Sequence, residues 1–188
     1  MKKTLSLLLA LALLLPGLAL ADTEVDVGIG VLTLSDDELM QVTDKADGGD
    51  FLLIQPGWSR GFTDMDYLSV GWSADPIGQT VGSHPETYAE TLLNLLVATM
   101  RNNGAIISDQ GVLDLAYDAE RNVLSLLLYY TLDLTEMVEG LQLPLYIRLK
   151  VYSVEGDGSY LFSANSITQD GPDRLLDFYL ERVQPKAP

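Results

Sequence analysis

The sequence predicts an α+β fold: one domain in which an antiparallel sheet of about five to seven strands carries a long central helix and a C-terminal helix on one face. Three observations predict it. Residues 84–102 repeat apolar side chains at helical spacing, the chain after residue 111 alternates with a period of two, and residues 172–183 return to helical spacing. Alternating strands joined by short turns make an antiparallel meander with one face buried, and the amphipathic helices must cover that face.

The central helix is the best-specified element. Ser83 stands at the capping position with Pro85 and Glu86 after it, a capping-box arrangement, and Gly104 follows the last turn, where a left-handed residue is favoured. Ala89, Leu92, Leu96 and Met100 form one stripe, widened by Tyr88, Leu93 and Leu95, while Glu86, Glu90, Asn94 and Arg101 fall opposite.

Before that helix, Glu24 to Leu34 is rich in Val, Ile and Thr and predicts a first strand, weakened in its middle by Gly28 and Gly30. Ser35-Asp36-Asp37-Glu38 has the spacing of a capping box and predicts a short helix with Leu39, Val42 and Ala46 on its apolar side, ended by Asp47-Gly48-Gly49-Asp50. Phe51 to Gln55 predicts a strand closed by Pro56-Gly57. Residues 56–83 carry turn chemistry around one strand, Tyr67 to Trp72. They hold Trp58, Phe62, Tyr67 and Trp72, an aromatic set that either plugs one end of the core or lines a recognition site.

After Gly104, Val112 to Tyr117 places Leu113, Leu115 and Tyr117 on one face and Asp114 on the other. Val123 to Leu134 places Leu124, Leu126, Leu128, Tyr130, Leu132 and Leu134 together, with Ser125, Tyr129, Thr131 and Asp133 opposite. In Leu143 to Val154, the run Leu145, Ile147, Leu149 and Val151 faces away from Tyr146, Arg148, Lys150 and Tyr152. A turn at residues 155–158 leads into a strand from Ser159 to Thr168, and Pro172 to Val183 forms the last helix. Residues 184–188 read as a tail.

The chain opens with Lys2 and Lys3, a long apolar run broken at Pro16, and Ala19-Leu20-Ala21. That is the pattern of a secretory signal peptide, cleaved after Ala21, which leaves residues 22–183 as the α+β domain of a periplasmic or secreted protein with no later membrane span. Cysteine is absent, so the fold is expected to rest on burial rather than on disulfides. With 27 acidic residues against 11 basic ones, the surface repels phosphate backbones and anionic lipid, and nucleic-acid binding is excluded.

Gly57-Trp58-Ser59-Arg60-Gly61 matches the G-x-S-x-G pattern of a hydrolase nucleophile elbow, with Ser59 as nucleophile and His84, the single histidine, as its base. That elbow needs a helix after the serine and a parallel sheet, and the pattern predicts neither. A lone histidine without cysteine does not make a zinc site, and acid pairs such as Asp47 with Asp50 or Asp64 with Asp66 lack calcium-loop spacing, so no metal or cofactor is expected. The outer sheet face is richer. Tyr129, Tyr146, Arg148, Lys150 and Tyr152 share it, either as a platform for a sugar or an acidic ligand, or as cross-strand pairs with Asp114 or Asp133.

Leu34-Ser35-Asp36-Asp37-Glu38-Leu39 with Val42 and Gly48-Gly49 resembles the L-S-x-x-E-L-x-x-V stretch of double-glycine leader peptides, though a capped helix explains the same residues. The element order is similar to Mog1/PsbP-like domains, small α+β binding modules of exported proteins, and more loosely to NTF2-like and cystatin-like folds. The expectation is a non-enzymatic domain that binds a partner protein or a small ligand such as a sugar. A small serine hydrolase and a structural envelope-associated protein are the alternatives.

Overall fold

The structure, a computed structural model, describes residues 23–45, 49–56, 60–73, 84–154 and 158–185. The expected signal peptide through Ala21, Ala46 and Asp47, Trp58, Ser59, Ser83 and the turn at residues 155–157 lie outside the described residues. In chain order the elements are β1 (Thr23–Asp26), β2 (Val31–Leu34), β3 (Leu39–Lys45), β4 (Gly49–Gln55), β5 (Tyr67–Ser73), α1 (Pro85–Asn102), β6 (Ile107–Asp118), β7 (Val123–Asp133), β8 (Gln142–Val154), β9 (Gly158–Ser166), α2 (Gly171–Leu180) and β10 (Val183–Gln184). Seven strands form one antiparallel sheet in the order β3-β4-β5-β9-β8-β7-β6, and β1-β2-β10 form a small second sheet. The expected α+β class, antiparallel sheet and two helices are therefore present. No helix among the described residues is long and apolar enough to cross a membrane.

The two helices do not share a face. On β7 and β8, Leu124, Leu126, Leu128, Ile147, Leu149 and Val151 pack with Ala89, Leu93 and Val97 of α1. The opposite face is closed by α2 and the small sheet: Leu68, Val70, Phe162 and Ala164 pack with Leu175, Leu176 and Tyr179, and with Leu32 and Leu34 of β2. The central strands are thus apolar on both sides, a burden that the alternation of β8 conceals because Arg148 and Lys150 occupy the α2 side.

Sequence spacing located α1 well. Gly104 takes the left-handed conformation (φ +89°) directly after it, and Leu92, Leu96, Met100 and Tyr88 pack on its core, although Leu95 faces solvent at 62 % exposure. His84 occupies the cap position without a side-chain bond to the helix. In β6, Leu115 and Tyr117 join the α1 core as expected, but Leu113 is 45 % exposed because a bulge between Val112 and Asp114 leaves it as the extra residue.

Three expectations are corrected. The strand from Glu24 to Leu34 is a hairpin: the Gly28 N–H donates to Asp26 Oδ1 at 2.8 Å, Gly28 takes φ +82°, and β1 folds back on β2. The short helix after Ser35 is a turn followed by strand β3. The capping-box contact does form, Ser35 N–H donating to Glu38 Oε2 at 2.7 Å, but Glu38 N–H bonds Ser35 O in a tight turn and Leu39–Lys45 pairs along β4 in full register. Leu39 and Val42, the apolar stripe of that expected helix, stand 43 % and 55 % exposed on an edge strand. Long-range pairing overrides the local cap signal. Finally, the last helix stops at Leu180, and Val183–Gln184 pairs with β2 instead of extending it.

Candidate functional site

The outer sheet face gathers the expected residues in register. On β7 and β8, Tyr129 stands opposite Tyr146, Leu127 opposite Arg148, Ser125 opposite Lys150 and Val123 opposite Tyr152. α2 packs over β5, β9 and β8, so it divides this face into a covered and an open part.

Arg148 and Tyr152 belong to the covered part. Arg148 is 8 % exposed and grips Asp173 of α2 with two bonds, Nε to Oδ1 at 2.6 Å and Nη2 to Oδ2 at 3.0 Å. Its Nη1 donates to Asp114 Oδ2 at 2.8 Å. Burial alone would lower the Arg148 pKa, but the bonds it donates to Asp173 and Asp114 outweigh it and hold the guanidinium charged. This side chain clamps α2 to the sheet. Tyr152 packs edge-on against Phe162 at 5.4 Å, and burial, with Asp177 nearby, raises its pKa. Asp133, the other candidate partner of Arg148, instead accepts from the Thr135 N–H and hydroxyl at 3.0 and 2.6 Å.

Tyr129 and Tyr146 belong to the open part. Both are half-buried, and their rings stack with centroids 6.3 Å apart and planes 30° apart. Gly111 on β6 faces Tyr129, and a Cβ there would lie 2.7 Å from the ring, so the glycine makes room for the tyrosine to lie across the strand. The Tyr129 hydroxyl donates to Asp109 Oδ2 at 3.0 Å, which raises its pKa and keeps the phenol neutral. The hydroxyl is thereby committed, and the ring surface not covered by Gly111 or by the partner ring is left for contact. Lys150, half-buried, lies further along the same face.

The aromatic set of residues 56–83 does not form one site. Phe62 packs against Phe178 at 5.5 Å with the ring planes tilted by 59°, beside the α2 core. Tyr67 alternates to the α1 side, where burial raises its pKa and Tyr130 is its electrostatic neighbour. Trp72 returns to the α2 side opposite Tyr160. Trp58 and Ser59 lie outside the described residues. On either side of them, β4 is antiparallel to both its neighbours, Arg60 lies in a 3-10 turn, and residues 61–66 lead into β5, with no α-helix among the described residues between β4 and β5. His84 is exposed at the start of α1. Among the described residues, no group of three or more His, Cys, Asp and Glu is placed to hold a metal ion.

One cluster was not anticipated from sequence. Arg182 donates to Glu38 through Nη1 to Oε1 at 2.6 Å and Nη2 to Oε2 at 2.8 Å, and also bonds the Thr33 carbonyl. Arg182 and Arg60 lie 5.0 and 5.2 Å from the Phe178 ring centroid, and Arg174 lies 5.6 Å from that of Phe62. Glu38 and Arg182 are 144 residues apart, so no local spacing signals the pair. The Glu38 side chain has no exposed surface. Burial would raise its pKa, but the bonds from Arg182 and the Ser35 N–H prevail and hold it below its ordinary 4.5. Its folded pKa therefore lies under the unfolded one, and the stability it contributes is fully present above pH 4.5 and lost as pH falls through the folded value. Thermal melts of wild type and Glu38→Gln, compared from pH 7 to pH 3, should show a gap that narrows below pH 4.5; a gap that stays constant would exclude this linkage.

No family model matches the chain, and no curated protein matches it. Among solved structures, that of cyanobacterial PsbP (CyanoP) from Synechocystis sp. PCC 6803 is similar, with 15 % identity over 92 % of this chain and 97 % of that chain and a TM-score of 0.42.

Proposed function

We propose that the chain is a non-enzymatic binding domain of an exported protein, and that its ligand stacks on the open part of the outer sheet face. The observation that carries this reading is the Tyr129–Tyr146 pair: two half-exposed rings stacked on adjacent strands, one of them fixed by Asp109 and set over a glycine. Rings held in place offer apolar area with little conformational entropy left to lose on binding. Among the described residues of this face, Arg148 is spent on Asp173 and Asp114 and Lys150 lies four residues along β8 from Tyr146, an arrangement that suits a neutral or weakly acidic sugar better than a multiply charged anion. Titration of isotope-labelled protein with neutral and uronic-acid oligosaccharides, read by NMR, is expected to shift Tyr129, Tyr146 and their strand neighbours, and Tyr146→Ala to abolish the response. Shifts confined to other surfaces would overturn the assignment.

The serine hydrolase alternative has its own test. Fluorophosphonate labelling of wild type that disappears in Ser59→Ala would support it, and the antiparallel pairing of β4 with β5 argues for no labelling.

A further inference from the structure

The connection between β7 and β8 exposes apolar side chains on a backbone that is firmly held. The Leu134 N–H donates to Leu141 O at 3.0 Å, the Met137 and Val138 N–H groups to Leu134 O at 2.9 and 3.0 Å, and the Leu141 N–H to Val138 O at 3.0 Å. Asp133 braces the entry through Thr135, and Gly140 supplies the left-handed turn at φ +73°. On this frame Met137 and Val138 are each 56 % exposed and Leu141 39 % exposed. Ile106, whose carbonyl accepts from the Asp133 N–H at 2.8 Å, adds a fourth apolar side chain at 49 % exposure. Glu136 and Glu139 flank them, both exposed, and no Lys or Arg occurs between Arg121 and Arg148.

We propose that this tip is a docking knob for another protein, one with an apolar pocket rimmed by Lys or Arg. Turn tips are ordinarily polar, and a preordered apolar tip reduces the ordering cost of entering a pocket. The rim chemistry follows from charge. A second copy of this chain would bring Glu136 and Glu139 against themselves across a two-fold axis, and an anionic lipid surface would repel them. A basic rim complements them. The tip uses neither tyrosine of the sheet face, so the failure of either proposal leaves the other standing.

The test is photo-crosslinking from position 138 in the full chain expressed in its own source, with the same reporter at Ala119, in the exposed β6–β7 turn, as control. The expected result is one discrete protein adduct from position 138 and none from position 119. Its yield should fall at least about tenfold in Met137→Ser and in the charge-reversed Glu136→Lys/Glu139→Lys variant, and should decline with added salt. Unchanged thermal melts would show that both variants remain folded. An adduct whose yield ignores charge reversal, a crosslinked dimer of this chain, a lipid adduct, or no adduct would each overturn the proposal.

Discussion

Arg182→Met should destabilise the fold by about 3–5 kcal/mol, the cost of leaving a buried carboxylate without its partner. Glu38 has no exposed side-chain surface, and without the guanidinium its carboxylate keeps the Ser35 N–H bond but loses its counter-charge and both bonds from Arg182. Arg182 also bonds the Thr33 carbonyl and covers Phe178, so its loss loosens the join between α2 and the small sheet. Against a total stability of roughly 5–15 kcal/mol for a domain, the variant stands close to unfolding at ambient temperature. Replacing both partners, as in Glu38→Leu/Arg182→Met, should recover most of the loss, because no charge is then left stranded. Urea denaturation of the two variants checks this, and equal losses in both would refute the ion-pair explanation. Arg148→Met makes a useful contrast. Its partners Asp114 and Asp173 are 55 % and 46 % exposed and can be hydrated once released, so a smaller loss is expected.

Phe162→Ala should cost a similar ~3–5 kcal/mol by a different mechanism, the opening of a cavity. Phe162 is completely buried on β9, between Val70 of β5 and Lys150 of β8 in register, and Tyr152 packs edge-on against its ring. The site joins the sheet to α2 and cannot collapse without moving a central strand. Chemical denaturation should show the lower midpoint with an unchanged slope. Phe162→Leu, which retains most of the volume, should lose much less, and an equal loss would point to a role beyond packing.

How far the fold can be read from the sequence depends on how local its causes are. α1 is legible because its stripe, its entry proline and its left-handed Gly104 all lie within about twenty residues. β7 and β8 are legible because one face is continuously apolar. β3 is not, because Ser35 and Glu38 make the contact a capping box would make, and only the pairing of Leu39–Lys45 with β4 decides that the chain continues as strand. The burial of both sheet faces is hidden for the same reason: the α2 side of β8 carries Arg148 and Lys150, and Arg148 is neutralised by Asp173, 25 residues away. At the candidate site, alternation placed Tyr129, Tyr146, Arg148, Lys150 and Tyr152 on one face and suggested Asp114 as a partner for Arg148. It could not show that α2 covers Arg148 and Tyr152 while leaving the tyrosine pair open. The aromatic set of residues 56–83 scattered because strand alternation sends Tyr67 and Trp72 to opposite faces.

The central claim, a domain that carries its ligand on Tyr129 and Tyr146, is tested most directly by native mass spectrometry of the protein purified from its own source. Wild type and the Tyr129→Ala/Tyr146→Ala variant are each compared with a denatured sample. The expected result is added mass of small-molecule size on native wild type, absent from the denatured sample and from the variant. A bare wild-type chain, or an adduct that the double variant keeps, would contradict it.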